Sequence, residues 1–206
     1  MADKIDLKRE LKPYFTGSKK TWEEITLPSY SYLMIDGKGA PGGDEYVAAL
    51  EALYPAAYAT KFHSKIALGR DYGVPPLEGL WWADDFSAYV QAGRREEWQW
   101  TLMIMLPDWI ASDHLETVKA AQAKKKPDLD LSRVRMEVLE EGLCMQHFHV
   151  GPFSEEGPKL DDLHNTLMPE KGLTFNGQHH EIYLSDPRRT APEKLRTVLR
   201  QPVKKV

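Results

Sequence analysis

A single cysteine, Cys144, has no second thiol in the chain to pair with, so no internal disulfide holds this fold together and a reducing compartment suits it. Long apolar runs are missing too. No stretch approaches the ~20 residues of a membrane-spanning helix, and the opening Met-Ala-Asp-Lys lacks the apolar core of a signal peptide. The expectation is a cytoplasmic protein with no membrane partner. Neither sign of charge dominates: 27 Lys and Arg stand against 31 Asp and Glu, mixed along the chain for a net charge of −4, so nucleic acid finds no basic field and is not an expected partner. No phosphate-binding loop, dinucleotide glycine fingerprint or Ser-His-Asp order is present, because Gly37-x-Gly39 lacks the third glycine. Nucleotide chemistry is not indicated, and no cofactor is expected.

What remains is an ordinary globular composition, 42% hydrophobic and 28% charged over 206 residues, enough to bury a core in one domain or two small ones. Residues 1–28 are charged and poorly periodic, and read as a solvated arm with one helical turn. Residues 30–35 then alternate as a strand, ended by the Gly37 to Gly43 turn. Asp44 is placed to cap a helix reaching Ser64, with Tyr46, Ala49, Leu50, Leu53, Tyr54 and Ala57 on its apolar face and Pro55 expected to kink it. Two apolar runs, 77–83 and 98–106, complete the order strand, helix, strand, strand, joined by a polar connection containing Arg94 to Glu97. A helix capped by Asp108 or Ser112 runs toward Lys124-Lys125-Lys126, and residues 133–139 suggest a strand. The same order then returns: a strand over 143–150, a helix from Ser154 to Met168, and strands over 179–185 and 197–203. The expected fold is α+β, two strand-helix-strand-strand modules (about 29–107 and 133–206) related by a pseudo-twofold axis, with antiparallel sheets around a central pocket.

The chemistry concentrates in His179-His180-Glu181-Ile182-Tyr183-Leu184. Alternation puts Ile182 and Leu184 on one face of a strand and His179, Glu181 and Tyr183 on the other. A carboxylate in an apolar cleft is costly to keep charged, so Glu181 suits a general base or a counter-charge, and Tyr183 on the same face can donate to a ligand oxygen. Tryptophans crowd the first half, and their flat rings favour planar or cationic ligands. Trp81, Trp100, Tyr32, His147 and Met103 are the candidate ligand-binding residues. The expected pocket lies on the sheet face turned away from the helices, lined by Glu181, Tyr183, Trp81, Tyr32 and His147. Cys144, His147 and His149 do not make a metal site, because Cys144 points oppositely to the two histidines and the spacing fits no common zinc pattern. Glu155 and Glu156 sit where a helix dipole favours acids, which is a structural role.

The order of Gln146-His147-Phe148-His149-Val150-Gly151-Pro152-Phe153, His180-Glu181-Ile182-Tyr183-Leu184-Ser185-Asp186-Pro187 and Pro192-Glu193-Lys194-Leu195-Arg196-Thr197 resembles the GyrI-like small-molecule-binding family. Glu78-Gly79-Leu80-Trp81-Trp82 and Trp98-Gln99-Trp100-Thr101-Leu102-Met103-Ile104 look like its stand-alone branch. The resemblance spans roughly residues 22–206. It implies a duplicated fold, an apolar central pocket, and a glutamate, matched by Glu181, that meets electron-poor or cationic ligands. Some stand-alone relatives hydrolyse the cyclopropane of spirocyclopropyl-dienone DNA alkylators. The resemblance therefore implies a metal-free hydrolase of electrophilic cyclopropanoid xenobiotics, with Glu181 and Tyr183 as its catalytic residues. The alternatives are a sequestering module and, last, a topoisomerase inhibitor. The sequence names no protein partner.

Overall fold

The computed structural model describes residues 4–84 and 94–206. The strands are β1 (Glu23–Leu27), β2 (Tyr30–Lys38), β3 (Leu77–Trp82), β4 (Gln99–Leu106), β5 (Arg135–Leu139), β6 (Gly142–Val150), β7 (Leu173–Phe175), β8 (His179–Tyr183) and β9 (Arg196–Lys205). They pair antiparallel throughout, in the order β1-β6-β9-β8-β3-β4-β2-β5, with β7 added to the far end of β9. At the centre β8 meets β3, with Gly79 opposite Glu181 and Trp81 opposite His179. Residues 85–93 of the polar connection between β3 and β4 lie outside the described residues.

One face of the sheet carries α2 (Asp44–Ala67). Its buried positions Ala49, Ala52, Leu53, Ala56, Ala57, Thr60 and Ser64 recur at three- and four-residue steps, the stripe of an amphipathic helix. The small side chains let the helix lie close to Leu33, Ile35, Leu102 and Ile104 of β2 and β4. Gly43, not Asp44, occupies the cap position, and the helix continues unbroken past Pro55. Helix α3 (Ser112–Lys125) packs beside α2; its first turn is closed by Ala111 N–H donating to His114 Nδ1 at 3.0 Å rather than by Asp108 or Ser112. On the same face of the other half, α4 (Gly157–Asp162) winds through a π turn, Leu163–Leu167, into the short α5 (Met168–Glu170). Leu163, Met168, Met145 and Val203 form the core beneath it.

The opposite face is also covered, by the N-terminal segment. The turn α1 (Leu7–Glu10) and the residues after it bury Leu7, Tyr14 and Phe15 against Tyr32, Met34, Met103, Met105, Ile182 and Val198. This corrects the reading of a solvated leader: its lysines point outward, while a few apolar positions too sparse to show a period supply a second core. Strand β1, also unforeseen, pairs with β6 from Glu23↔Gln146 to Leu27↔Gly142. No helix among the described residues is long and apolar enough to cross a membrane.

Candidate functional site

Because both faces are covered, strand alternation sorts two separate chemistries onto the two sides of the same strands. On the helix side, over the β3–β8 junction, lie Trp81, Glu181 and Tyr183. This overturns the expectation that they face away from the helices: Ile182 packs under the N-terminal segment, while Tyr183 packs against the core that contains α2. The alternation of β8 marks Ile182 as core but does not say which of two covered faces that core belongs to, and the cover over Ile182 is the N-terminal segment.

The Trp81 indole N–H donates to the Tyr183 phenol oxygen at 2.8 Å, and that phenol is within hydrogen-bonding reach of Glu181. Burial first, then the charge of Glu181, holds the Tyr183 hydroxyl well above its ordinary pKa, so it stays protonated and can donate. Gly79 makes this arrangement fit. A Cβ there would stand 2.8 Å from Trp81 Nε1 and 3.1 Å from the Tyr183 oxygen, so only glycine leaves room for the bond across the junction. Tyr46 of α2 stacks on Trp81 with ring centres 6.2 Å apart, Trp98 meets Trp81 edge-on at 5.9 Å, and Phe153 meets Tyr183 edge-on at 5.8 Å. His179 Nε2 lies 3.3 Å from Glu181 Oε1. The result is a partly exposed carboxylate among aromatic rings and a phenol held in one orientation.

A second carboxyl belongs to this seam, one whose place at a helix start pointed only to a structural role. Glu156, in the turn between Pro152 and α4, is 4% exposed; its Oε1 has no hydrogen-bond partner and stands 3.9 Å from His149 Nε2. Its neighbours His149 and Thr197 belong to a row that the register continues from β6 across β9 to Tyr183 of β8. Burial and the nearby charge of Glu181 push its pKa up to about 10, against the smaller pulls of Thr197 and Lys159. Burial beside a second carboxylate thus favours the protonated form of Glu156, the environment that makes a carboxyl group an acid at neutral pH.

The other expected ligand contacts are dispersed. Trp100 is fully buried, its ring laid flat across Gly37, where a Cβ would come within 2.1 Å, and its indole N–H donates to Gly39 O at 3.2 Å. Tyr32 and Met103 lie on the opposite face, in the core under the N-terminal segment. His147 is on the helix side, but Leu199 of β9 separates it from Glu181, and its ring tilts against Trp22.

That opposite face holds the second chemistry, a buried polar network the sequence did not signal. His180 Nδ1 is 2.9 Å from Glu141 Oε1 and His180 Nε2 is 2.9 Å from Glu78 Oε2. Both ring nitrogens face carboxyl oxygens, which suits an imidazolium that donates twice. Accordingly the His180 pKa is raised, with Glu141 the leading favourable cause against burial, and Glu141 is held down to about 2 by His180 and Arg200. Arg200 donates to Glu141, to Gln146 and to the Tyr14 carbonyl; the Tyr14 hydroxyl donates to Glu78 and pairs with Tyr32 at 2.8 Å. These groups clamp the N-terminal segment to β6, β8 and β9.

Antiparallel strands with helices on one face, and a carboxylate set among aromatic rings beneath those helices, describe a domain that takes up a small organic molecule. The chain belongs to the GyrI-like family: the model of the GyrI-like small molecule binding domain matches residues 100–204. A conserved protein of Listeria innocua, uncharacterised, is 42% identical over 98% of this chain and 100% of its own, with a TM-score of 0.89. A hydrolase from Listeria innocua is 43% identical over the same shares, with a TM-score of 0.84. The C-terminal domain of EcmrR, 10% identical over 90% of this chain and 98% of its own at a TM-score of 0.58, shares the fold alone. No curated protein matches the chain.

Proposed function

We propose that the protein is a cofactor-independent hydrolase that opens a strained, electrophilic ring of the spirocyclopropyl-dienone type and so disarms alkylating xenobiotics. The observation that carries this reading is the Trp81, Tyr183, Glu181 chain over Gly79: a partly exposed carboxylate set among aromatic rings. The likeness to a 43% identical hydrolase supports it. Glu181 takes a proton from water as the water oxygen bonds to a cyclopropyl carbon. The bond from that carbon to the spiro carbon breaks, its electron pair runs through the ring, and the dienone oxygen becomes a phenol on gaining a proton. Trp81, Tyr46 and Phe153 hold the flat dienone by stacking and edge contacts. Tyr183 keeps Glu181 aimed at the water. The strand order supports two modules about a pseudo-twofold axis, β3-β4-β2 matching β8-β9-β6, with the cleft at their junction.

The competing reading is a module that sequesters planar cations, with Glu181 as counter-charge. Glu181→Gln separates the two. As a base replaced by an amide, it should cut turnover of the parent spirocyclopropyl cyclohexadienone by roughly 100-fold or more with KM nearly kept. As a lost counter-charge, it should weaken cationic dyes and spare neutral ones. Wild-type protein that quenches its tryptophan emission with dyes yet never forms the hydroxyethyl phenol would sink the hydrolase reading.

A further inference from the structure

The proposed reaction needs a proton at the dienone oxygen, and Tyr183 is committed elsewhere: it receives the Trp81 indole N–H and faces the Glu181 carboxylate. Another donor is required on the same face. His149 is an unsuitable candidate, since one ring nitrogen lies 3.2 Å from the Pro152 carbonyl and the other meets the Lys159 ammonium. Resting on the hydrolase reading, we infer that Glu156 is the acid of the site, giving its proton to the oxygen on which the ring electrons arrive, while Glu181 is the base.

Four features support the assignment. Glu156 is nearly sealed from solvent by the turn it belongs to, whose Phe153 rests on Tyr183. Its Oε1 is buried and unpaired, so the carboxyl keeps a hydrogen-bonding capacity that no protein group uses. A buried carboxyl with an unpaired oxygen is costly to keep charged, and the charge of Glu181 beside it adds to that cost, so the proton resides on Glu156. Last, Glu156 is positioned from β6 and β9, Glu181 from β8, so a flat ring lying over the junction can meet an acid at one end and a base at the other. The proton count closes: Glu181 gains one proton from water, Glu156 gives one to the oxygen, and passing the proton from Glu181 back to Glu156 resets the pair. The groups facing Glu156 that bear on its titration are Glu181, Lys159, His149 and the Thr197 hydroxyl.

The test uses full-length protein and the parent spirocyclopropyl cyclohexadienone. Glu156→Gln keeps the size and polarity but cannot release a proton, so kcat should fall by about 100-fold with KM little changed, and Glu156→Asp should recover part of the rate. The infrared spectrum of wild-type protein at neutral pH should show the carbonyl stretch of an un-ionised carboxylic acid that is missing in Glu156→Gln, a readout that needs no substrate and that an ionised, merely structural Glu156 would not give. Absence of that band, or full activity in a folded Glu156→Gln, overturns the assignment. A wild-type protein that shows the band but hydrolyses nothing fails at the hydrolase reading instead and takes the donor role down with it. If Glu156→Gln does not fold, the wild-type rate decides: it must fall as pH rises through about 10, where Glu156 loses its proton, and a flat profile there overturns the assignment.

Discussion

Arg200→Met probes the buried network that holds the N-terminal segment against the back of the site. Arg200 is fully buried, and its guanidinium donates to Gln146 Oε1 at 2.8 and 2.7 Å, to Glu141 Oε2 at 3.0 Å and to the Tyr14 carbonyl at 2.7 Å, with its Cζ 4.0 Å from the Tyr14 ring centre. Methionine fills much of that volume and donates nothing. Glu141 is then left with His180 as its cationic partner, and the Gln146 and Tyr14 oxygens lose their donor. Removing one member of a buried ion pair costs about 3–5 kcal/mol. That is a large fraction of the ~5–15 kcal/mol that holds a typical domain together. At ~2–4 °C per kcal/mol for a chain of this size, Tm should drop by about 6–20 °C. Thermal and urea unfolding followed by circular dichroism measure it, and limited proteolysis should show earlier cleavage around residues 12–20. The double variant Arg200→Met/Glu141→Gln should be less destabilised than the single one, because no anion is stranded. A single-variant loss below about 1 kcal/mol would refute the claim that this cluster is a structural clamp.

Stability should also depend on pH through two members of that network, His180 and Glu141, which face Arg200, Glu78, Tyr14 and Tyr32. The His180 pKa is higher folded than unfolded, so its contribution is complete below the unfolded value near ~6.5 and disappears as pH rises through the folded one. Glu141, held down to about 2, contributes above the unfolded carboxylate range and is lost as pH falls toward that value. Urea midpoints should therefore peak in mildly acid solution and decline on the alkaline side, and His180→Gln should flatten that decline; an equal alkaline decline in the variant would refute it. In the site itself, Gly79→Ala should press a methyl group between Trp81 and Tyr183 and break their bond. Losing ~1–1.5 kcal/mol of positioning predicts roughly tenfold weaker binding of planar dyes or slower turnover. Unchanged fluorescence titration and unchanged rate together would show that Gly79 does not set the geometry.

Much of this was legible in the residues, for a definite reason. Where a segment alternates or repeats at helical spacing, as in β2, α2, β4, β6 and β9, the pattern follows from burial of one side, and the structure places elements within a few residues of the expected ranges. Strand alternation drew attention to Glu181, and family resemblance matched it to the family's glutamate. The covering of the second face was not legible, because Leu7, Tyr14 and Phe15 are scattered among lysines and gain their meaning only against Tyr32 and Ile182, far along the chain. That single omission set Glu181 away from the helices and grouped it with Tyr32, which the structure places across the sheet from it together with Met103. Glu78, Glu141, His180 and Arg200 looked like unrelated polar residues, since strand pairing alone brings them together. Glu156 was hidden by a sound local rule: an acid at a helix start is usually there for the dipole, and its burial depends on β9 and β8 beneath it.

The pairing of β3 with β8 has a consequence for how the protein reaches its active form. Trp81 and Tyr183 are separated by 102 positions in the chain, yet they share one hydrogen bond. Contacts of such long range carry a high loop-closure cost and tend to form late. Neighbouring strands within each half, β3 with β4 and β8 with β9, pair over far shorter separations and can assemble first, but until β3 and β8 meet, both are bare edges, one bearing Trp81 and Trp82 and the other Ile182. Such edges invite pairing with the wrong chain. The Trp81–Tyr183 bond therefore comes into being at the step that covers these two edges, and refolding yield and recovery of ligand binding should rise together with the same late rate.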